Sequence, residues 1–245
     1  MPTDLTATLS IPTDLAALRR DAARIAAGIG LLLAVAALAV APAWLGDWYV
    51  AKALAVFGLG CGLAWGALPA HRPHARFGLA NAVTLLRLAL IALLAAALGE
   101  PASHTTAGAA ALVGLATLAA LLDALDGPLA RRSGAASPFG ARFDMETDAL
   151  LIGVLCLLAL QLDRAGAWVL AAGLARYAFV VAAWRWRWLA APLPPRTRRK
   201  AVCVLQIATL IVCLVPSIDA TAARWIAGFG LAALLASFAA DIRWL

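Results

Sequence analysis

DALDGPLARRSGAASPFGARFDMETD, residues 123–148, gathers aspartates between two long apolar segments. The chain has 11 Asp and 2 Glu among 245 residues, and four of these aspartates fall here: Asp123, Asp126, Asp144 and Asp148. Asp123 and Asp126 are three residues apart and Asp144 and Asp148 four apart, so each pair shares one face of a helix. A short connection makes the two helices antiparallel neighbours, and we expect both pairs to converge on one pocket.

The composition places this cluster in a membrane protein. The chain is 64% hydrophobic and 13% charged, with a mean hydropathy of +0.90, which excludes an ordinary soluble domain. Apolar stretches near the roughly 20 residues that cross a bilayer occur at about 28–45, 48–66, 79–98, 106–123, 145–162, 166–185, 201–216 and 222–240. The sequence predicts an all-α polytopic membrane protein with eight transmembrane helices, two of them short.

The polar stretch ALPAHRPHARFG, residues 67–78, predicts a cytoplasmic linker and a domain boundary. It separates two additional transmembrane helices at 28–66 from a six-helix membrane domain at 79–241. Its His71 and His74 have no further soft ligands nearby, which argues against a metal site there. Gly58, Gly62 and Gly66 recur every fourth residue in the second helix and predict close helix packing.

Residues 1–27 are predicted to be an N-terminal cytoplasmic segment. Its part from Thr13 to Ala27 has the pattern of an amphipathic helix on the membrane surface, capped by Thr13 or Asp14. The alternative is a disordered tail. The first 18 residues are polar, so we expect no cleavable signal peptide.

The distribution of basic residues predicts the orientation. With the N-terminus inside, fifteen of the twenty Lys and Arg residues face the cytoplasm. The aspartate cluster is then cytoplasmic, and we expect an integral protein of the inner membrane of a bacterium. The formal charge of +7 indicates topology and attraction to anionic lipids. No nucleic-acid motif accompanies it.

Four like charges in one pocket repel one another and lose hydration, and hard divalent cations relieve both problems. Mg²⁺ or Mn²⁺ prefers oxygen ligands and keeps positions open for phosphate oxygens, and the cluster has room for two such ions. Gly127 and Gly140 remove side chains where a ligand approaches the backbone. Arg131 adds a fork of donors suited to phosphate. A solvated acidic loop is the alternative.

The spacing of Asp123, Asp126, Gly127, Ala130, Arg131, Gly140, Asp144 and Asp148 resembles the signature of the CDP-alcohol phosphatidyltransferase family, class I, at every defined position. The resemblance extends upstream to Asn81, Thr84 and Arg87 and covers about residues 77–240. It implies a six-helix core in which the four aspartates hold divalent metals and Asp148 is also the base. It further implies a nucleotide site lined by Gly127, Ala130, Arg131 and Gly140.

The implied reaction is attack by an alcohol on the lipid-linked phosphate of a CDP-lipid, usually CDP-diacylglycerol, with release of CMP. The expected partners are these two substrates and membrane lipids, with no nucleic acid. Homodimers are common in the family, and one is possible here.

Asn81 and several basic residues are candidates for binding substrate phosphate or the acceptor. An arginine within an apolar helix needs a partner, so we expect Arg87 to face the carboxylates or a substrate phosphate. A structural ion pair with an aspartate is the alternative, and Arg176 has the same two readings. The turn PPRTRRK, ending at Lys200, favours a phosphorylated alcohol through Arg196, Arg198, Arg199 and Lys200. Its alternative is a topology signal.

The acceptor is open at this point. Family members that use glycerol 3-phosphate often carry lysine just after the last aspartate, whereas this chain has Ala149. Glycerol 3-phosphate, an inositol phosphate or another polar alcohol all fit. Other classes are a UbiA-type prenyltransferase, which needs a second Asp-rich motif, an ion-coupled transporter, which needs midplane carboxylates, and an inactive relative.

Overall fold

The computed structural model describes residues 15–44, 46, 48–132, 137–191 and 197–244, with side chains at 41–44, 124–132 and 190 outside the description. In this part of the chain the fold is all-helical. It has eight α-helices: α1 (Leu15–Trp44), α2 (Tyr49–Ala67), α3 (Leu79–Ala96), α4 (Thr106–Arg132), α5 (Pro138–Gln161), α6 (Leu170–Arg185), α7 (Thr197–Cys213) and α8 (Ala220–Trp244).

Six stretches have the length and composition of a membrane span: Leu15–Val40, Tyr49–His71, Leu79–Ala96, Thr106–Asp123, Ala167–Arg185 and Ala220–Trp244. Large apolar side chains on them are exposed, and Leu31, Leu59 and Leu63 are 66–70% accessible. Such surfaces need lipid contact, and the chain is an integral membrane protein.

The prediction of eight spans is therefore met only in part, although all eight helices form. α5 carries Asp144, Glu146 and Asp148 among its apolar residues, and α7 has only 17 residues and begins with a basic turn. Both helices pack within the bundle, although their composition does not identify them as membrane spans.

α1 crosses the predicted N-terminal boundary at residue 27. The helix runs unbroken from Leu15 to Trp44, so residues 15–27 are continuous with the first candidate span, and the cytoplasmic location of this segment stays a prediction. Leu18 and Ala22 are buried on one face while Arg20 and Arg24 are exposed. The suggested caps Thr13 and Asp14 lie outside the described residues.

α3 is the central helix. Of its span, 61% is buried within the protein, against 22% or less for each of the other five. It packs against α1, α2, α4 and α5, and α5 in turn contacts α6 and α7. α7 lies against α8 and also touches α4. A residue in the middle of α3 can therefore meet α4 and α5 together.

Glycine allows close approach at two helix contacts. A Cβ on Gly60 would lie 2.6 Å from a Leu88 methyl carbon on α3, and one on Gly230 would lie 2.2 Å from the Thr209 hydroxyl on α7. The predicted stripe was wrong in register, because no described atom lies within 4 Å of a Cβ built on Gly58, Gly62 or Gly66.

The first two helices are tied to the rest at both ends. At one end, Glu100 follows α3, pairs with Lys52 and accepts a 2.7 Å bond from the Gly46 N–H. The Tyr49 hydroxyl donates to the Leu93 carbonyl at 3.1 Å. At the other end, the Asp21 carboxylate accepts from the Phe77 N–H at 2.9 Å.

Glu100 makes two of these contacts. Its side chain is 6% exposed. Burial raises the pKa of this carboxyl, but hydrogen bonds from Lys52 and the Gly46 N–H, with the Lys52 charge, outweigh burial and hold the pKa below its usual 4.5. A depressed folded-state pKa stabilises the protein above the unfolded pKa, and this stabilisation is lost as pH falls through the folded value.

Glu100→Gln should therefore lower the free energy of unfolding at pH 7 by about 2 kcal/mol, because charged hydrogen bonds at a buried site are lost. The deficit should shrink as pH falls below 4.5, where the wild-type carboxyl also becomes neutral. Unfolding in detergent micelles, followed by tryptophan fluorescence, measures both effects. Glu146→Gln is the matched control; its side chain is 40% exposed, and it should cost less than about 1 kcal/mol. Equal costs for the two variants would contradict the assignment.

Candidate active site

Arg87 lies within α3 and is fully buried, and its guanidinium contacts three aspartates on two other helices. Its Nη1 is 2.9 Å from Asp123 Oδ1 on α4 and 2.5 Å from Asp144 Oδ1 on α5. Its Nη2 pairs with Asp148 Oδ1, and Nε donates to the Ala119 carbonyl at 3.2 Å. One side chain thus joins α3, α4 and α5, as expected for an arginine that needs partners in an apolar helix.

The three carboxylates face one point. One oxygen from each of Asp123, Asp144 and Asp148 lies within 4.8 Å of the others. Their side chains are 13%, 37% and 19% exposed, so the cluster is reachable from outside. Three carboxylates against one guanidinium leave excess negative charge, and the donors are hard oxygens. This donor set fits Mg²⁺ or Mn²⁺.

The structure describes only part of the predicted site residues between these aspartates. Asp126, Gly127, Ala130 and Arg131 continue α4, which extends to Arg132. Their side chains lie outside the described part of the chain. The helical backbone puts Asp126 one turn beyond Asp123, on the same face.

Gly140 lies at a close contact between α3 and α5. The Ser137 hydroxyl caps α5 and accepts a 3.0 Å bond from the Gly140 N–H. A Cβ on Gly140 would lie 2.9 Å from Asn81 Oδ1. Asn81 is buried and donates through Nδ2 to the Phe77 carbonyl at 2.6 Å. Gly140 and Asn81 therefore have a packing function, beside the nucleotide and phosphate roles predicted for them.

The basic candidates occupy different places. Arg176 on α6 pairs with Glu146 at 2.6 Å, on another side of α5 from Arg87. Arg198 and Arg199 both bind Asp241 on α8, with N–O distances of 2.5 and 3.0 Å.

Lys200 is exposed and lies one helical turn before Cys203, whose thiol is 3.8 Å from Asp148 Oδ2. Arg196 lies outside the described residues. Arg198 and Arg199 hold α7 to α8.

Two residues near the site were not singled out by sequence reasoning. Asp241 is buried in the last turns of α8, and an aspartate in that position is a signal for a basic partner. The Cys203 thiol on α7 lies 3.8 Å from Asp148 Oδ2. A single cysteine in an apolar helix carries no such signal.

Comparison with known proteins identifies a family. A family model described as CDP-alcohol phosphatidyltransferase matches residues 77–237. No curated protein and no solved structure matches the chain.

Arg87→Met should lower the free energy of unfolding by about 3–5 kcal/mol, because it leaves three neighbouring carboxylates without their shared cation. Arg87→Lys should cost less, since a lysine keeps the charge but cannot reach three partners as a fork does. Thermal unfolding in detergent measures both. Arg176→Met removes the same group from the more exposed pair with Glu146. A loss for Arg87→Met no larger than that control would refute the central role of Arg87.

Proposed function

The chain belongs to the CDP-alcohol phosphatidyltransferase family, a family of phospholipid synthesis whose members transfer a phosphatidyl group from a CDP-lipid to an alcohol, and we propose that its donor is CDP-diacylglycerol and its acceptor a small phosphorylated alcohol. Glycerol 3-phosphate is the acceptor we favour, with an inositol phosphate or another polar alcohol as the alternative. The observation that carries the proposal is the meeting of Asp123, Asp144 and Asp148 at one accessible point.

We propose that Asp123, Asp126, Asp144 and Asp148 hold two divalent ions, Mg²⁺ or Mn²⁺. When bound, such ions neutralise charge on a transferring phosphoryl-type centre and on its leaving phosphate. The donor set supports this, since three of these carboxylates lie within 4.8 Å of one another. Gly127, Ala130, Arg131 and Gly140 are proposed to line the nucleotide.

Asp148 is proposed as the base. The acceptor hydroxyl gives its proton to this carboxylate while its oxygen bonds to the lipid-linked phosphorus, and the phosphorus–oxygen bond to CMP breaks. Arg87 supports the role, because its Nη2 binds Asp148 Oδ1 and fixes the carboxylate while leaving Oδ2 on the side of Cys203. A base held this way is oriented before substrate arrives.

The acceptor proposal depends on Lys200. Arg198 and Arg199 share Asp241, and Arg176 binds Glu146, so each of these three arginines is already engaged in an ion pair. Lys200 is exposed and lies one helical turn before Cys203, which contacts Asp148; this supports an acceptor phosphate bound beside the cluster, with Arg196 from the preceding turn as a second candidate. An ammonium suits this purpose as a mobile point charge.

We further propose that the site faces the cytoplasm and that α5 and α7 cross the membrane with the other six helices. The 24 residues of α5 extend for about 36 Å, which is enough to cross, and its three acidic residues, Asp144, Glu146 and Asp148, face arginine partners. A homodimer stays a prediction.

Asp148→Asn should reduce kcat by at least about 100-fold, the contribution of a general base, while CDP-lipid binding stays largely intact. Asp144→Asn should instead weaken Mn²⁺ binding by at least about tenfold. CMP release and Mn²⁺ titration followed by electron paramagnetic resonance measure the two effects.

Asp163→Asn is the matched control, since Asp163 is exposed in the turn after α5, at the opposite end of that helix. Near-normal turnover of Asp148→Asn would eliminate Asp148 as the base. An unchanged Mn²⁺ titration of Asp144→Asn would eliminate Asp144 as a ligand.

The purified protein should release CMP from CDP-diacylglycerol with Mg²⁺ or Mn²⁺ when glycerol 3-phosphate is added, and less with inositol 1-phosphate, inositol, serine or choline. Lys200→Ala should raise KM for the phosphorylated acceptor about tenfold, the loss of one charge-assisted hydrogen bond. Arg243→Ala, an exposed basic residue of α8, is the control. Release with an uncharged alcohol alone, or an unaltered KM in Lys200→Ala, would refute the phosphorylated-acceptor proposal.

A further inference from the structure

The linker between α2 and α3 buries a histidine against the helix that carries two of the site aspartates. His71 ends a short 3₁₀ turn, Leu68–His71, and is fully buried. Its Nδ1 lies 2.6 Å from the Ser137 hydroxyl, and its Nε2 lies 3.0 Å from the Arg76 carbonyl. The ring also meets Phe139 edge-on at 5.5 Å. His71 precedes the residues 77–237 that match the family.

The hydrogen bonds have one consistent direction. The Arg76 carbonyl can only accept, so His71 Nε2 carries the proton and donates to it. In the neutral ring Nδ1 is then an acceptor, and the Ser137 hydroxyl donates to it. The same hydroxyl accepts from the Gly140 N–H at 3.0 Å. In this series of hydrogen bonds the capping hydroxyl of Ser137 therefore both donates, to His71, and accepts, from Gly140.

This series of hydrogen bonds lies at the start of the α5 face that carries the site aspartates. Ser137, Gly140, Asp144 and Asp148 follow one another at intervals of three or four residues, so they lie along one side of the helix. A cap that fixes the hydroxyl of Ser137 fixes the start of that side. The first turn of a helix otherwise holds N–H groups without intrahelical partners and frays easily.

We infer that His71 is a positioning residue: by accepting from Ser137 it fixes the N-terminus of α5, and through it the placement of Asp144 and Asp148. The inference rests on the proposed function for its catalytic consequence, but not for its structural one. It also gives the two additional helices a purpose, since the linker that ends them supports the site directly.

Three substitutions of His71 separate this role from simple packing. Asparagine puts an acceptor near the position of Nδ1, so His71→Asn can keep the bond from Ser137 and lose the one to Arg76. Glutamine reaches the position of Nε2, so His71→Gln can keep the bond to Arg76 and lose the one from Ser137. His71→Ala loses both, and Ser137→Ala loses the cap itself.

Tyr49→Phe is the matched control. It removes a hydrogen bond of the same two helices to α3, that from the Tyr49 hydroxyl to the Leu93 carbonyl, at the end away from the aspartates. If His71 only held the additional helices in place, Tyr49→Phe and His71→Ala would have similar effects on α5.

The first readout is amide hydrogen exchange of peptides covering residues 137–150 in detergent micelles, which needs neither metal nor substrate. Exchange should be about tenfold faster in His71→Ala, His71→Gln and Ser137→Ala, and close to wild type in His71→Asn and Tyr49→Phe. The second readout is the dissociation constant for Mn²⁺ alone, which should rise about tenfold in the same three variants, as for other supporting groups behind metal ligands.

Unchanged exchange in His71→Ala, or equal exchange in His71→Asn and His71→Gln, would overturn the inference. If the wild-type protein did not bind Mn²⁺ or did not release CMP, the proposed function would be overturned instead. The exchange result would still decide the role of His71.

Discussion

One guanidinium, that of Arg87, joins three helices at the centre of the bundle. Removing an arginine from water costs several kcal/mol, and the protein offsets this by surrounding Arg87 with Asp123, Asp144 and Asp148. The carboxylates need the guanidinium equally, since they would otherwise repel one another. This mutual requirement fixes how α3, α4 and α5 approach each other, and with them the point where the three carboxylates meet.

The surrounding helices shield this charged centre from lipid and are held in place by further ion pairs. α3 lies in the middle and is the most buried span, so the arginine it carries is shielded from lipid. α7 is held to α8 by two arginines on Asp241, which keeps the basic turn beside the cluster. On the opposite end, the buried Glu100 fastens α2 to the core. Each charged side chain described at these contacts therefore faces a group of opposite charge.

The sequence predicts the parts of this arrangement that depend on local patterns. The lengths of the apolar stretches predict the eight helices. The three- and four-residue intervals between aspartates predict the cluster, because helical periodicity determines which side chains share a face. The continuity of α1 was missed, since a polar start and an apolar continuation have different compositions but the same helical propensity.

Long-range pairing was not readable. The Arg199–Asp241 pair joins residues 42 apart, and the His71–Ser137 bond joins residues 66 apart; nothing local specifies which partner each will meet. The register of the α2–α3 contact was missed for the same reason, because Gly60 and the neighbouring stripe look alike until Leu88 is placed opposite.

His71 and Asp241 lie just outside the two ends of the family-matched stretch, residues 77–237, yet each holds an element that the site requires. The cooperative unit of this protein is therefore wider than its shared evolutionary module. A fragment cut at those limits would keep all four aspartates and lose the histidine behind α5 and the carboxylate that pairs with two arginines of α7. Transplanting the module into another protein would need replacements for both supports.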